Sequence, residues 1–426
     1  VEGTLDASAE PLLDSGADEA VDSVCGDVSG ISIPSGVDVR GLAQPPVVIS
    51  VRGRHGLCAR GSNFSKIAFE RAALKGPLLE FDGGSAELRG VSFQNFDGDT
   101  STEAGLPVHS LFLRGQSAVE WIAEPPEQTL GQGALASLQN NARLHVVAGQ
   151  GRLFPPSGIT GQVLFRATNA SVLQLSGVTL RGDPQQALGA VLAFSEDPQA
   201  VPSVSFADGT LVEGFAVACR FARSAQVSVT DSEFRAQGTM AVLGIPSVGA
   251  DQASVRIERS TIRNAPAGLF VIGQKVSIHI LDSLFEGNDR GIVASVAGPV
   301  TILDSRVIDN TGVGISASAE SGVMRRTSVE RNGIGVLIGS QAWDLGTAND
   351  PGQNHFSSNG QLPTTSLSLN CNQGCLVNAS GNTWDPLQQG ADGDGHYAAS
   401  ASGALDVTEG AGPNYVIYSG TLRLAE

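Results

Sequence analysis

Hydrophobic positions along this chain alternate in short bursts. "VSIHILDS" (276–283) puts Val276, Ile278 and Ile280 on one face of an extended segment, and "VTILDS" (300–305) does the same with Val300 and Ile302. A shorter apolar mark follows each burst, then an Asn or Gly turn and a β-branched run. Period-two alternation punctuated this way predicts strands joined by tight turns.

The pattern repeats. Five segments fall into register: "DSEFRAQGTMAVLG" from Asp231, "RSTIRNAPAGLFVIG" from Arg259, "DSLFEGNDRGIVAS" from Asp282, "DSRVIDNTGVGISAS" from Asp304 and "RTSVERNGIGVLIG" from Arg326. Their apolar markers, Phe234, Ile262, Phe285, Val307 and Val329, are 28, 23, 22 and 22 residues apart. "NHFSSNG" adds a sixth copy at Phe356, and "LRGVSFQNF" (88–96) and "LSGVTLRG" (175–182) are earlier echoes. The glycines of "ERNGIGVLIG" (330–339) could be read as a phosphate-binding loop, but their spacing is one residue too long for the dinucleotide fingerprint. The equivalent coils keep the turn and strand while the glycines drift, so the stretch reads as one coil, with Gly335 admitting a tight strand entry. A 22-residue unit cannot bury its apolar face alone; stacking at about 4.8 Å turns each face into a ladder of like residues.

These features identify the fold class as all-β, a parallel β-helix (solenoid), and the family resemblance that follows implies a right-handed parallel β-helix. The chain resembles the pectin-lyase-like superfamily: "ISIPSGVDVRG" (31–41) resembles the first coil of many such proteins, and "GNTWDP" (381–386) resembles a motif near the end of uncharacterised exported bacterial β-helix proteins. The expected organisation is an acidic extended N-terminal tail or linker over 1–24, a β-helix over 25–385 with irregular insertions around 100–170, and a C-terminal cap over 386–426.

Composition agrees with a narrow stacked core. Glycine makes up 53 of 426 residues and aromatics only 5%, while 41% of the chain is hydrophobic. Net charge is −17, which disfavours nucleic acid and anionic membranes as partners. No run of about 18 apolar residues is present, so no transmembrane segment is expected. The stretch 1–24 carries seven acidic residues and no basic one, the composition of a spacer after an export signal or lipid anchor. Lysine occurs only at Lys66, Lys75 and Lys275, an Arg bias typical of GC-rich bacterial genomes. Together these predict a secreted or cell-surface protein, periplasmic or on the bacterial outer surface. Of five cysteines, Cys25, Cys58, Cys371 and Cys375 are placed for two local disulfides, with Cys219 a small buried hydrophobe. A zinc site would need four clustered ligands, and His355 is the one histidine near the second pair.

The resemblance brings in polysaccharide lyases and hydrolases, so their requirements apply. A lyase needs a calcium-holding Asp cluster beside a basic residue, and none is found; a polygalacturonase-like N-T-D becomes "DNTGVG", with Gly312 at the Asp position. Asp282 and Asp304 occupy one repeat position on adjacent coils, a spacing that suits a retaining glycosidase. The same column holds Asp231, Arg259 and Arg326, and a neighbouring Arg keeps a carboxylate ionised, so a charge-compensated surface ladder is the competing reading. The column Asn264, Asn288, Asn310, Asn332 and Asn359 is expected to form turns and a coil-to-coil amide ladder. Glu120, Glu124, His109 and Trp121 in "LPVHSLFLRGQSAVEWIAEPP" (106–126) are candidates for a sugar groove, with core packing the alternative for Trp121. Asp97 and Asp99, and Asp392 and Asp394, gather hard oxygens for Ca2+ without completing a loop motif.

Two functions compete. One is a non-enzymatic binding or assembly scaffold, with a polysaccharide or surface-protein partner, or self-assembly through the tail or open coil ends. The other is a lyase or glycoside hydrolase with a divergent site.

Overall fold

The computed structural model describes residues 31–33, 35–41, 47–52, 57–72, 77–94, 109–123, 128–129, 134–148, 152–154, 163–182, 189–195, 197, 199–245, 253–339, 342–347, 349–360, 367–369, 376–379, 381–385, 396–397, 407–409 and 415–417. Within them every regular element is a strand and none is a helix. The chain divides into two compact units, Val1–Cys219 and Arg220–Glu426.

In the second unit each coil contributes strands to parallel ladders. The six apolar markers stack in one register, Phe234↔Ile262↔Phe285↔Val307↔Val329↔Phe356, on strands such as Glu233–Arg235 and Thr261–Arg263. All six are fully buried. Thr383–Asp385, inside the "GNTWDP" stretch, adds the next strand to that ladder. Ile278↔Val300 and Ile280↔Ile302 pair on a second face, as the alternation predicts. Parallel pairing continues past residue 385: Val407–Glu409 and Tyr415–Ile417 pair with Leu367–Leu369 and Leu376–Asn378, and His396–Tyr397 closes antiparallel on Tyr415–Ile417.

Corners are set by residues in the left-handed region. Asp231, Arg259, Asp282, Asp304, Arg326 and Gln353 have φ between 45° and 55°. A second corner, on the far side of each three-residue strand, is taken by Ala236, Asn264, Gly287, Asp309, Arg331 and Ser358. Left-handed geometry costs an L-residue about 1–2 kcal/mol, so something must hold it. Two side-chain ladders do so.

Just after the first corner, the hydroxyls of Ser260, Ser283 and Ser305 accept the backbone N–H of Ser232, Ser260 and Ser283 at 3.1–3.2 Å. Each of the three also donates to the carbonyl two residues back, on Glu258, Leu281 and Leu303. Just after the second corner, Asn288 donates through Nδ2 to Asn310 Oδ1 at 3.1 Å, Asn310 to Asn332 at 2.7 Å and Asn332 to Asn359 at 3.0 Å. The amide ladder is therefore present, with one correction. Asn264 is a left-handed corner residue, and Ala265 occupies the ladder position, donating its N–H to Asn288 Oδ1 at 3.0 Å.

Gly268, Gly291, Gly314 and Gly335 stack in register on the strands that follow. A Cβ on Gly291 would sit 2.5 Å from Gly314 O, and one on Gly314 would sit 2.8 Å from Gly335 O. Within "ERNGIGVLIG" it is Gly333 that close approach of coils fixes, since a Cβ there would sit 2.5 Å from Thr311 O and 2.6 Å from Gly312 O.

The first unit runs on the same principle with different corners. Phe64, Leu88, Trp121, Val146, Leu175 and Phe206 form one inward column along paired strands. Regular pairing holds through Ala118–Ala123, Arg143–Ala148 and Val172–Ser176, so the described parts of 100–170 are coils. Asn140, Asn141 and Asn169 supply left-handed turns there, and Asn169 donates through Nδ2 to Asn140 Oδ1 at 3.0 Å; the register was hidden because the step between paired positions varies, 25 residues from Glu120 to His145 and 29 from His145 to Gln174. Cys58 is buried and disulfide-bonded, whereas Cys219 is buried and free. Cys25, Cys371 and Cys375 lie outside the described residues.

Candidate functional site

Two surfaces gather the charged candidates: the corner columns of the second unit, and one outward sheet face of the first.

On the first corner column, Arg326 makes a bidentate pair with Asp304, through Nε at 2.5 Å and Nη2 at 2.8 Å. Arg259 does the same with Asp231, both contacts at 2.8 Å. On the second column Arg331 grips Asp309 at 2.7 Å through Nε and Nη2. Each pair spans adjacent coils, because coil stacking brings equal positions together and a guanidinium fork matches a carboxylate. The guanidinium hydrogen bonds hold Asp231, Asp304 and Asp309 below the usual carboxylate range.

Asp282 and Asp304 do sit on successive coils, since Asp282 N donates to Leu303 O. The expected neutralisation of Asp282 by Arg259 is corrected: Arg259 turns back to Asp231 and acts on Asp282 only through space. The fork already holds two hydrogen bonds to Asp231, which fixes its direction. A retaining pair needs one protonated acid and one ionised nucleophile, and the fork that keeps Asp304 ionised bars it from the acid role.

The proposed sugar platform is corrected too. Trp121 is fully buried and meets Phe93 edge to face at 5.5 Å. Strand alternation in Ala118–Ala123 sends Val119, Trp121 and Ala123 inward and Glu120 outward. No sugar can stack on a ring that faces the core. His109 begins the strand His109–Arg114, but its side chain lies outside the described residues. Glu124, Asp97, Asp99, Asp392 and Asp394 also lie outside them. Among the described residues no group of three His, Cys, Asp or Glu side chains is placed to hold a metal.

Glu120 has partners that sequence reading missed. The outward column Glu87↔Glu120↔His145↔Gln174↔Ser205 runs across five paired strands. His145 Nε2 is 3.1 Å from Ser176 Oγ, and His145 Nδ1 is 3.9 Å from Glu120 Oε1. Gln174 Nε2 donates to the same Ser176 hydroxyl at 3.3 Å. Glu120 and His145 are 52% and 38% exposed at the side chain, whereas Ser176 is 6% exposed.

Buried charge appears elsewhere in a structural role. Arg325, 5% exposed, donates to Asp350 Oδ2, to Asp344 Oδ2 and to the carbonyls of Met324 and Asp344, pinning the turn at 344–350.

Fold and surface together define a right-handed parallel β-helix. A family model described as "Right handed beta helix region" matches residues 218–384. Among solved structures, the A-module of the Azotobacter vinelandii mannuronan C-5 epimerase AlgE6 is similar over 90% of this chain and 91% of that one, at 10% identity and a TM-score of 0.24. A likeness of that size carries no argument about chemistry. No curated protein matches the chain.

Proposed function

We propose that the chain is an exported or cell-surface β-helix that acts as a binding or assembly scaffold, without lyase or glycosidase chemistry on its corner columns. One observation carries this reading: the coil-to-coil carboxylates Asp231, Asp304 and Asp309 are each clamped by an Arg fork. Clamped carboxylates make poor general acids and poor calcium ligands. They make a patterned polar surface instead, repeating along the solenoid, which suits an extended hydroxyl-rich polymer such as a polysaccharide or a second β-helical surface. Repeat proteins use their extended flanks in this manner.

The test is a glycan-array measurement with the full chain, run beside an assay for unsaturated uronide and new reducing ends. Polysaccharide binding or self-association with no cleavage product supports the scaffold. Uronide release, or reducing ends that vanish in Asp304→Asn, would overturn it.

A further inference from the structure

The geometry points to an acyl-transfer site on the outward face of the first unit, with Ser176 as nucleophile, His145 as general base and Glu120 as the residue that positions the imidazole. This goes beyond the scaffold reading, which concerns the corner columns of the second unit.

Three side chains from three successive coils meet in the order such chemistry needs: hydroxyl, imidazole, carboxylate. Ser176 Oγ lies 3.1 Å from His145 Nε2. Gln174 already donates to that oxygen. With a lone pair so occupied, the hydroxyl's own proton is best directed at a bare Nε2. That arrangement puts the ring proton on Nδ1, the nitrogen facing Glu120 at 3.9 Å. One tautomer therefore serves all three groups. The contact to Glu120 is longer than a hydrogen bond, a looseness common in ligand-free sites, and the 52% exposed Glu120 side chain has room to close it.

The step balances as follows. Ser176 Oγ adds to the carbonyl carbon of an ester while its proton passes to His145 Nε2. The bond from that carbon to the alcohol oxygen breaks, and the leaving oxygen takes the proton from His145. Water then attacks the acyl-serine by the same route, releasing a carboxylic acid and restoring the hydroxyl. Gln174 Nε2, 3.3 Å from Oγ, is the donor within reach of the oxyanion that forms on the carbon bonded to Oγ. The class of substrate follows from exposure. Ser176 is nearly buried beside an exposed imidazole, which admits a small acyl group, such as an acetyl ester carried on a polymer hydroxyl.

The experiment uses the full chain with a fluorophosphonate probe, followed by peptide mass spectrometry, and with steady-state p-nitrophenyl acetate hydrolysis. The expected result is label on Ser176, absent in Ser176→Ala and reduced roughly tenfold or more in His145→Gln. Glu120→Gln should lower kcat for the ester with KM little changed, and Glu120→Asp should partly restore it; a merely structural Glu120 would give no such split and no rescue by Asp. Circular dichroism identifies any variant that fails to fold. Folded protein with no label on Ser176, or label unchanged in His145→Gln, overturns the proposal. Glycan binding by Ser176→Ala separates the two readings, because the scaffold reading predicts that it is unchanged.

Discussion

Replacing Asn310 by Ala tests the claim that the buried amide ladder holds the left-handed corners. Asn310 donates to Phe285 O at 3.3 Å and Asn332 Oδ1 at 2.7 Å, and accepts from Asn288 N and Nδ2 at 3.0 and 3.1 Å. Truncation does not strip every partner. Asn288 Nδ2 keeps Ile262 O at 3.2 Å, and Asn332 Oδ1 keeps the N–H of residue 310 at 3.1 Å. The Asn288 N–H loses the partner it has, at a site that is fully buried. A bare buried donor costs about 1–3 kcal/mol, and each weakened bond adds about 0.5–1.5 kcal/mol. The expected loss is about 3–5 kcal/mol, a large part of a total stability of about 5–15 kcal/mol. Because a stacked array unfolds in parts, the urea midpoint alone is insufficient, and hydrogen exchange at the Asn288 amide is the sharper readout. Arg326→Ala, which breaks an exposed pair, is the control and should barely move the midpoint. Unchanged protection of the Asn288 amide, or a midpoint shift no larger than the control's, would refute the reasoning.

Other substitutions probe other parts. Arg325→Met should cost about 2–3 kcal/mol, below the 3–5 typical of a broken buried pair because Asp350 is 71% exposed and regains water; exchange at the Gly346 amide should quicken in step. Cys219, whose thiol burial pushes up to about 12, should resist alkylation in the folded chain and react once the chain is unfolded in urea, with mass spectrometry counting the adducts. Asp309 titrates below its unfolded value near 3.9 because Arg331 clamps it. Its contribution is thus complete above that unfolded value and disappears as pH falls through the folded one. The gap in urea midpoint between the wild-type chain and Arg331→Ala, at most about 1 kcal/mol for so exposed a pair, should close in strong acid.

The stacking register from Phe234 to Phe356 was legible because burial of one face forces like residues to recur, and the 22-residue step kept the signal in phase. The Asn ladder was legible from Asn288 onward for the same reason. Asn264 misled by one place: Asn suits both a left-handed corner and an amide ladder, and sequence spacing alone cannot separate adjacent positions. The glycine stack was obscured by one extra residue between Asn310 and Gly314, which the turn absorbs. Trp121 could have been placed inside from the alternation of "AVEWIA". The Glu120, His145 and Ser176 meeting was not legible, since its members are 25 and 31 residues apart on coils of unequal length and meet only through register.

The ladders also make each coil interchangeable. Excising residues 282–303 would join Leu281 to Asp304, bringing Ser305 against Ser260 and Asn310 against Ala265, so that every buried hydrogen bond of the corner re-forms. Length in such a chain is therefore a quantity that insertion or loss of whole coils can change without redesigning the interior, and the reach of its surface can lengthen or shorten one 22-residue step at a time.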